Sequence, residues 1–206
     1  MARSADVTTP LARLAFTNSL FEPQTRQDGK KRWSCTLLFP KGADLSILQN
    51  AALDACVAEW GDKARDMVAN KLIHSPFLDG DGSQGRSKKT GEVHAGFAGT
   101  TFVRVISGED YRPKLVDKNV LPITGKDGPL YSGAYGVALV NAFTWENKDK
   151  GKGVSFSVQA IQVQKDGERL GGSGGIDPEK IFDKVEDAGP TPAAAKTGDG
   201  AGALFG

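Results

Sequence analysis

Along residues 32–39 apolar and polar positions alternate, which places Trp33, Cys35, Leu37 and Phe39 on one face of a strand and Ser34, Thr36 and Leu38 on the other. Residues 11–21 mix apolar and small polar residues and stop at Glu22-Pro23. With the Asp28-Gly29 turn signal between them, the two stretches predict a β-hairpin over residues 11–39. The period then changes. Leu45, Leu48, Ala52, Ala55 and Cys56 recur at steps of three and four, predicting a helix capped by Asp44 and stopped at Gly61. A shorter helix over about 62–72 ends before Ser75-Pro76. Residues 77–99 are polar, glycine-rich and aperiodic, the pattern of a long loop. Strand periodicity returns at 101–107, 134–145 and 153–164. In the 134–145 strand, Tyr135, Val137, Leu139, Asn141, Phe143 and Trp145 share one face, and the small residues Gly136, Ala138, Val140, Ala142 and Thr144 share the other. After Gly172 only a brief amphipathic turn at Ile181, Phe182 and Val185 precedes a Pro/Ala/Gly tail from Ala188, expected to be disordered.

Five strands, two helices inserted after the second, and aromatics concentrated on the strands predict a mainly β protein. The expected architecture is an OB-fold-like five-stranded Greek-key barrel with long loops and a disordered C-terminal tail; a β-sandwich is the competing arrangement. The expected division is a domain over residues 1–176 and an acidic, flexible tail over 177–206.

Composition sharpens this picture. The chain has 206 residues, 26 of them glycine, and is 39% hydrophobic, enough for one ordinary core and rich in turns. No stretch approaches the ~20 apolar residues of a spanning helix, and residues 1–10 lack the apolar centre of a signal peptide. The net charge of +1 hides an asymmetry: from Asp177 onward six acidic residues face three lysines, leaving a modestly basic body. A basic body with an acidic tail suits a polyanionic partner. Cys35 and Cys56 form no CxxC pair, and with His74 and His94 they make no recognisable metal spacing, so buried thiols and loop histidines are expected.

Sequence motifs for phosphate-loop, hydrolase or zinc-protease chemistry are missing. The nearest approach to an enzyme site is a magnesium-dependent nuclease built on Asp79, Asp81 and Glu92. DGDGSQG lacks the spacing of a calcium loop, however, and neither a metal nor another cofactor is expected. Basic residues do gather beside aromatics: Lys30, Lys31 and Arg32 before Trp33, Arg112 and Lys114 after Tyr111, and Lys148, Lys150 and Lys152 after Trp145. Single-stranded nucleic acid needs both elements, cations for phosphates and π-faces for bases. The alternative is that Trp33 and Trp145 are core residues beside ordinary surface lysines.

The order of these segments resembles a family of phage-encoded single-stranded DNA-binding proteins long catalogued as a domain of unknown function. The resemblance rests on Tyr131-Ser132-Gly133-Ala134-Tyr135, VALVNAFTWEN, Lys152-Gly153-Val154-Ser155-Phe156 and Asp166-Gly167-Glu168-Arg169-Leu170-Gly171-Gly172. Leu37-Leu38-Phe39-Pro40-Lys41, Leu78-Asp79-Gly80-Asp81 and Arg112-Pro113-Lys114-Leu115-Val116-Asp117 extend it over residues 11–172. It implies an OB-fold that binds single-stranded DNA, without catalysis, in phage replication, recombination or repair in the cytoplasm of the infected bacterium. Trp33, Tyr111 and Trp145 are expected to stack bases, while Tyr135 and Phe143 are expected in the core. Lys31, Arg32, Lys88, Lys89, Arg104, Arg112, Lys114, Lys148, Lys150 and Lys152 are expected to meet phosphates. The tail would recruit phage or host replication proteins through Leu204 and Phe205, with Asp183, Glu186 and Asp187 competing against DNA. It ends Ala203-Leu204-Phe205-Gly206, with sparse acids. The rival reading is a non-enzymatic phage structural or assembly protein.

Overall fold

A computed structural model of the protein describes residues 1–26 and 29–171. Among the described residues the chain is mainly β with two α-helices. In order, the elements are β1 (Val7–Thr8), β2 (Ala12–Ala15), β3 (Gln24–Thr25), β4 (Lys31–Pro40), α1 (Ser46–Trp60), α2 (Lys63–Ala69), β5 (Ile73–His74) and β6 (Phe77–Asp79). β7 (Thr100–Gly108), β8 (Lys114–Val116), β9 (Tyr135–Asn147) and β10 (Gly151–Lys165) complete it.

All ten strands belong to one mixed sheet, against the five that periodicity predicts. The five additional strands, β1, β3, β5, β6 and β8, have two or three residues each, too short to carry an alternating pattern. Among the longer strands the pairing runs β2 to β4, β4 to β7, β7 to β10 and β10 to β9. It returns to its start through Ala12↔Gly136 and Arg13↔Tyr135. Every step is antiparallel except β7 with β10, which is parallel. The predicted first strand, residues 11–21, is shorter than expected. It stops at Ala15 because Phe16 adopts a left-handed conformation and Thr17–Leu20 coil into a 3-10 turn.

Inside this circuit lie the inward residues of each strand, among them Leu14, Leu37, Phe39, Val103, Val105, Val140, Phe156 and Val158. The small face of β9 is the core-facing one, and it carries α1. Leu48, Ala51, Ala52, Ala55 and Cys56 of the helix are buried in the same core as Ala138 and Ala142. Asp44 accepts the Ser46 N–H at 2.9 Å at the helix start, and Gly61, at φ +62°, ends it with its N–H on the Val57 carbonyl at 2.8 Å. Tyr135 and Phe143, expected in the core, lie on the opposite face of β9. Phe143 is buried there beneath the Arg3 guanidinium, and Tyr135 is half-buried under Arg13.

The 80–99 segment, read as an aperiodic loop, has a small core of its own. Phe97 packs with Ala15, Leu38 and Phe102 on the outer side of β4 and β7. Backbone bonds from Gly80 to Thr100 and from His94 to Gly85, with an Arg86↔Val93 bridge, fold it back on itself. A side chain at Gly80 would strike the Phe97 carbonyl at 1.9 Å, so the fold-back demands glycine there.

Candidate nucleic-acid interface

On β4 and β7 the register pairs Thr36 with Arg104, Ser34 with Ile106 and Arg32 with Gly108. Because Cys35, Leu37, Val103 and Val105 point into the core, these alternate residues point outward. β10 continues the surface with Ser155, outward between the buried Val154 and Phe156. The result is an open groove of ≈ 860 Å³ with a polar floor, walled on one side by Gln84, Arg86, Lys88 and His94 of the folded-back segment and by Phe16. Past Gln84, Arg104 and Ser155 it continues into a recess of ≈ 790 Å³ that reaches His74, Trp145 and Lys150.

The lining is strongly basic. Arg32, Arg86, Lys88, Arg104 and Lys150 face a single lining acid, Asp149. Arg104 donates to the Gln84 carbonyl at 3.0 Å and to its side-chain oxygen at 3.4 Å, with the Phe102 ring 5.3 Å away. Arg86 likewise donates to the Gly91 carbonyl at 3.2 Å and the Asp81 carbonyl at 3.5 Å. Neutral acceptors hold the Arg104 guanidinium in place without cancelling its charge, whereas the Arg86 charge also acts on the Asp81 carboxylate. Burial, and then the neighbouring Arg32 charge, lower the Arg104 pKa; a guanidinium stays protonated regardless, so the floor keeps its positive charge.

The far recess ends in an aromatic pair. Gly153 of β10 lies between Trp145 of β9 and His74 of β5 in the register, and the two rings stack over it with centroids 5.8 Å apart and planes 8° apart. The His74 Nε2–H donates to the Lys150 carbonyl at 2.9 Å, and the Trp145 indole N–H donates to Ser155 Oγ at 3.1 Å. The β9–β10 turn that carries Lys148 and Lys150 is itself fixed by Asn147 Oδ1, which accepts the N–H groups of Asp149 and Lys150.

The sequence profile built on the single-stranded DNA-binding protein of Enterobacter phage Enc34 matches residues 5–190. The chain belongs to this family. Protein p50 of Acyrthosiphon pisum secondary endosymbiont phage 1 is 32% identical over 183 residues, covering 85% of this chain and 91% of p50. The Enc34 protein in complex with single-stranded DNA shares the fold at TM-score 0.57 with 16% identity, over 81% of this chain and 89% of that one. The single-stranded DNA-binding protein gp2.5 of bacteriophage T7 shares it at TM-score 0.54 with 13% identity, over 92% of this chain and all of that one.

Against this groove, the sequence-predicted residues divide into two groups. Arg32, Lys88, Arg104, Trp145 and Lys150 line it. Trp33 does not: it sits on the core-facing side at the start of β4, its indole N–H bonded to the Glu109 carbonyl at 3.0 Å and its ring under Arg112 at 5.2 Å. Lys31 pairs with Glu109 at 3.9 Å, the exposed Tyr111 follows β7, and Lys114 lies on β8 opposite Ala160. Lys152 pairs with Glu146 at 3.5 Å near the Trp60 ring. Lys89 and Lys148 are exposed without lining the groove. Asp183, Glu186, Asp187, Leu204 and Phe205 lie outside the described residues.

Phe16, His74, Arg86 and His94 also line the groove and its recess, and the sequence pattern singles out none of them. In sequence the two histidines read as ordinary loop residues, and only the outward parity of Ser34 and Thr36 marks the neighbouring face as open and polar. Two of the three carboxylates of the rival nuclease are engaged elsewhere: Lys41 Nζ lies 2.9 Å from Asp79 and 2.6 Å from Asp81, and Asp81 also accepts the Gly99 N–H. Among the described residues no three His, Cys, Asp or Glu side chains gather to hold a metal ion.

Proposed function

We propose that this protein binds single-stranded DNA along the groove over β4, β7 and β10, as a passive, non-catalytic component of phage replication, recombination or repair. The observation that carries this reading is the floor itself. Arg104, beside Arg32, is anchored by neutral acceptors on an open surface that ends at the Trp145–His74 stack. Phosphates would displace condensed counterions at the arginines and lysines, and bases would stack at the aromatic end. Affinity then falls steeply with salt and depends little on sequence. The family match and the Enc34 complex with single-stranded DNA support the same ligand.

The closed strand circuit, with its one parallel step between β7 and β10, supports an OB-type barrel. In such barrels the face of the second and third strands, with the loops after the first and fourth, receives oligonucleotides. Here those parts are β4, β7, residues 16–26 and the β9–β10 turn. An acidic tail over 177–206 that meets replication proteins, and action in the cytoplasm of the infected bacterium, belong to the same proposal. The test is an anisotropy titration of a labelled oligo-dT at several salt concentrations with Trp emission followed in parallel. Binding that weakens with salt and quenches Trp supports the reading. No binding at low salt, with or without residues 177–206, overturns it.

A further inference from the structure

Phe16 occupies a backbone conformation that its side chain disfavours. Its φ of 56° and ψ of 38° fall in the left-handed region, which glycine enters freely and a bulky residue only under constraint. The constraint is visible on both sides. Ala15 and Thr17 are buried, the Leu14 N–H donates to Ala134 and its carbonyl accepts from Gly133, and the Thr17 N–H donates to Ser132 Oγ at 3.2 Å. Inward packing gives no compensation, because Phe16 remains 49% exposed.

The ring is nonetheless held. His94 meets it edge-on, centroids 5.2 Å apart at 88°, and the buried Phe97 meets it at 5.7 Å. One flank of Phe16 looks onto the basic groove with Arg32 and Lys88; the other borders a pocket of ≈ 250 Å³ that contains Asn18 and Gln24. Backbone strain that turns an aromatic outward, onto a braced seat between cations and amide side chains, suits a planar ligand bearing a phosphate and hydrogen-bonding edges.

We infer that Phe16 is a second base-stacking platform, which seats one nucleobase with its edge toward Asn18 and Gln24 and its phosphate toward Arg32 and Lys88. This rests on the single-strand reading of the groove. Phe16 walls the groove over β4 and β7, whereas Trp145 lies in the recess beyond Arg104 and Ser155. A bound strand therefore crosses the β-strands, and only an oligonucleotide of several residues engages both platforms.

Phe16→Leu and Phe16→Tyr, titrated with oligo-dT of graded length, test the assignment. Phe16→Tyr should bind like the parent. Phe16→Leu should bind long oligonucleotides about 5- to 150-fold more weakly, the loss of one stacked base. On the unaltered protein, an abasic residue moved along the oligonucleotide should give two separated positions of weakened binding. Phe16→Leu should abolish one of them. Parental affinity of Phe16→Leu at every length, while Arg104→Ala weakens binding, would overturn the platform and leave the groove standing. A single abasic-sensitive position would do the same even if Phe16→Leu failed to fold. Absence of parental binding at low salt would remove both.

Discussion

Trp145 and His74 stack in parallel across Gly153, which lies between them in the sheet register. Glycine makes the stack possible: a Cβ at position 153 would lie 2.1 Å from Trp145 Cζ2. Gly153→Ala should therefore drive the indole off His74. The expected result is a loss of stability of about 1–3 kcal/mol by overpacking, a shifted Trp emission maximum, and weaker binding of oligo-dT. His74→Ala should weaken binding with little change in melting temperature, since His74 is exposed.

Arg104 should act through charge alone. Arg104→Ala is expected to weaken binding of all single-stranded sequences to a similar degree and to reduce the slope of log K against log salt by about one. Titrations at four or five salt concentrations measure both. An unchanged slope would place the phosphates elsewhere.

Trp33 and Trp145 should separate cleanly. Trp33 shares the core-facing side of β4 and spends its N–H on Glu109, so Trp33→Phe should lower the melting temperature and leave oligo-dT affinity within about threefold. Trp145→Ala should cost about 5- to 150-fold in affinity if a base stacks there. Paired melting and anisotropy measurements decide it.

Acid should loosen the folded-back wall of the groove. Hydrogen bonding to Lys41 holds the Asp79 and Asp81 carboxyls below their ordinary pKa. Groups depressed in the folded state stabilise it above the unfolded carboxylate pKa, and that stabilisation is lost as pH falls through the depressed values. Melting temperature should thus fall between about pH 5 and pH 2, and Lys41→Met should flatten that part of the profile.

Both thiols should resist alkylation. Burial pushes the Cys35 pKa up to about 12 and raises that of Cys56. At pH 8 a maleimide or iodoacetamide should label neither cysteine in the native protein and both after denaturation, as read by mass spectrometry. Rapid native labelling of Cys35 would mean that β4 opens beneath the groove.

The long alternating strands were legible because Leu37, Phe39, Val103, Val105, Val154 and Phe156 set a period of two that burial enforces. The α1 stripe and its Asp44 and Gly61 ends were legible for the corresponding helical reason. Of the groove's lining, charge or an aromatic beside charge marks Arg32 and Arg104 on strands, Trp145 on β9, and Lys88 and Lys150 in the connections. Trp33 lies off the groove, and the sequence does not show this because an aromatic beside lysines looks the same whether its parity points inward or outward. His74 and Phe16 were invisible: β5 has two residues, and a left-handed phenylalanine leaves no periodic trace. Arg86 and His94 reach the groove through the backbone fold-back of residues 80–99, which no local pattern encodes.

The circuit closes only when β2, near the start of the chain, meets β9, and β7 gains its parallel partner only from β10. β10 is the last of these strands to be synthesised. A nascent chain on the ribosome therefore has neither the Ser155 floor nor the Gly153 gap for its aromatic pair, however much of β4 and β7 has emerged. Assembly of the proposed groove is therefore a late event in the synthesis and folding of the chain.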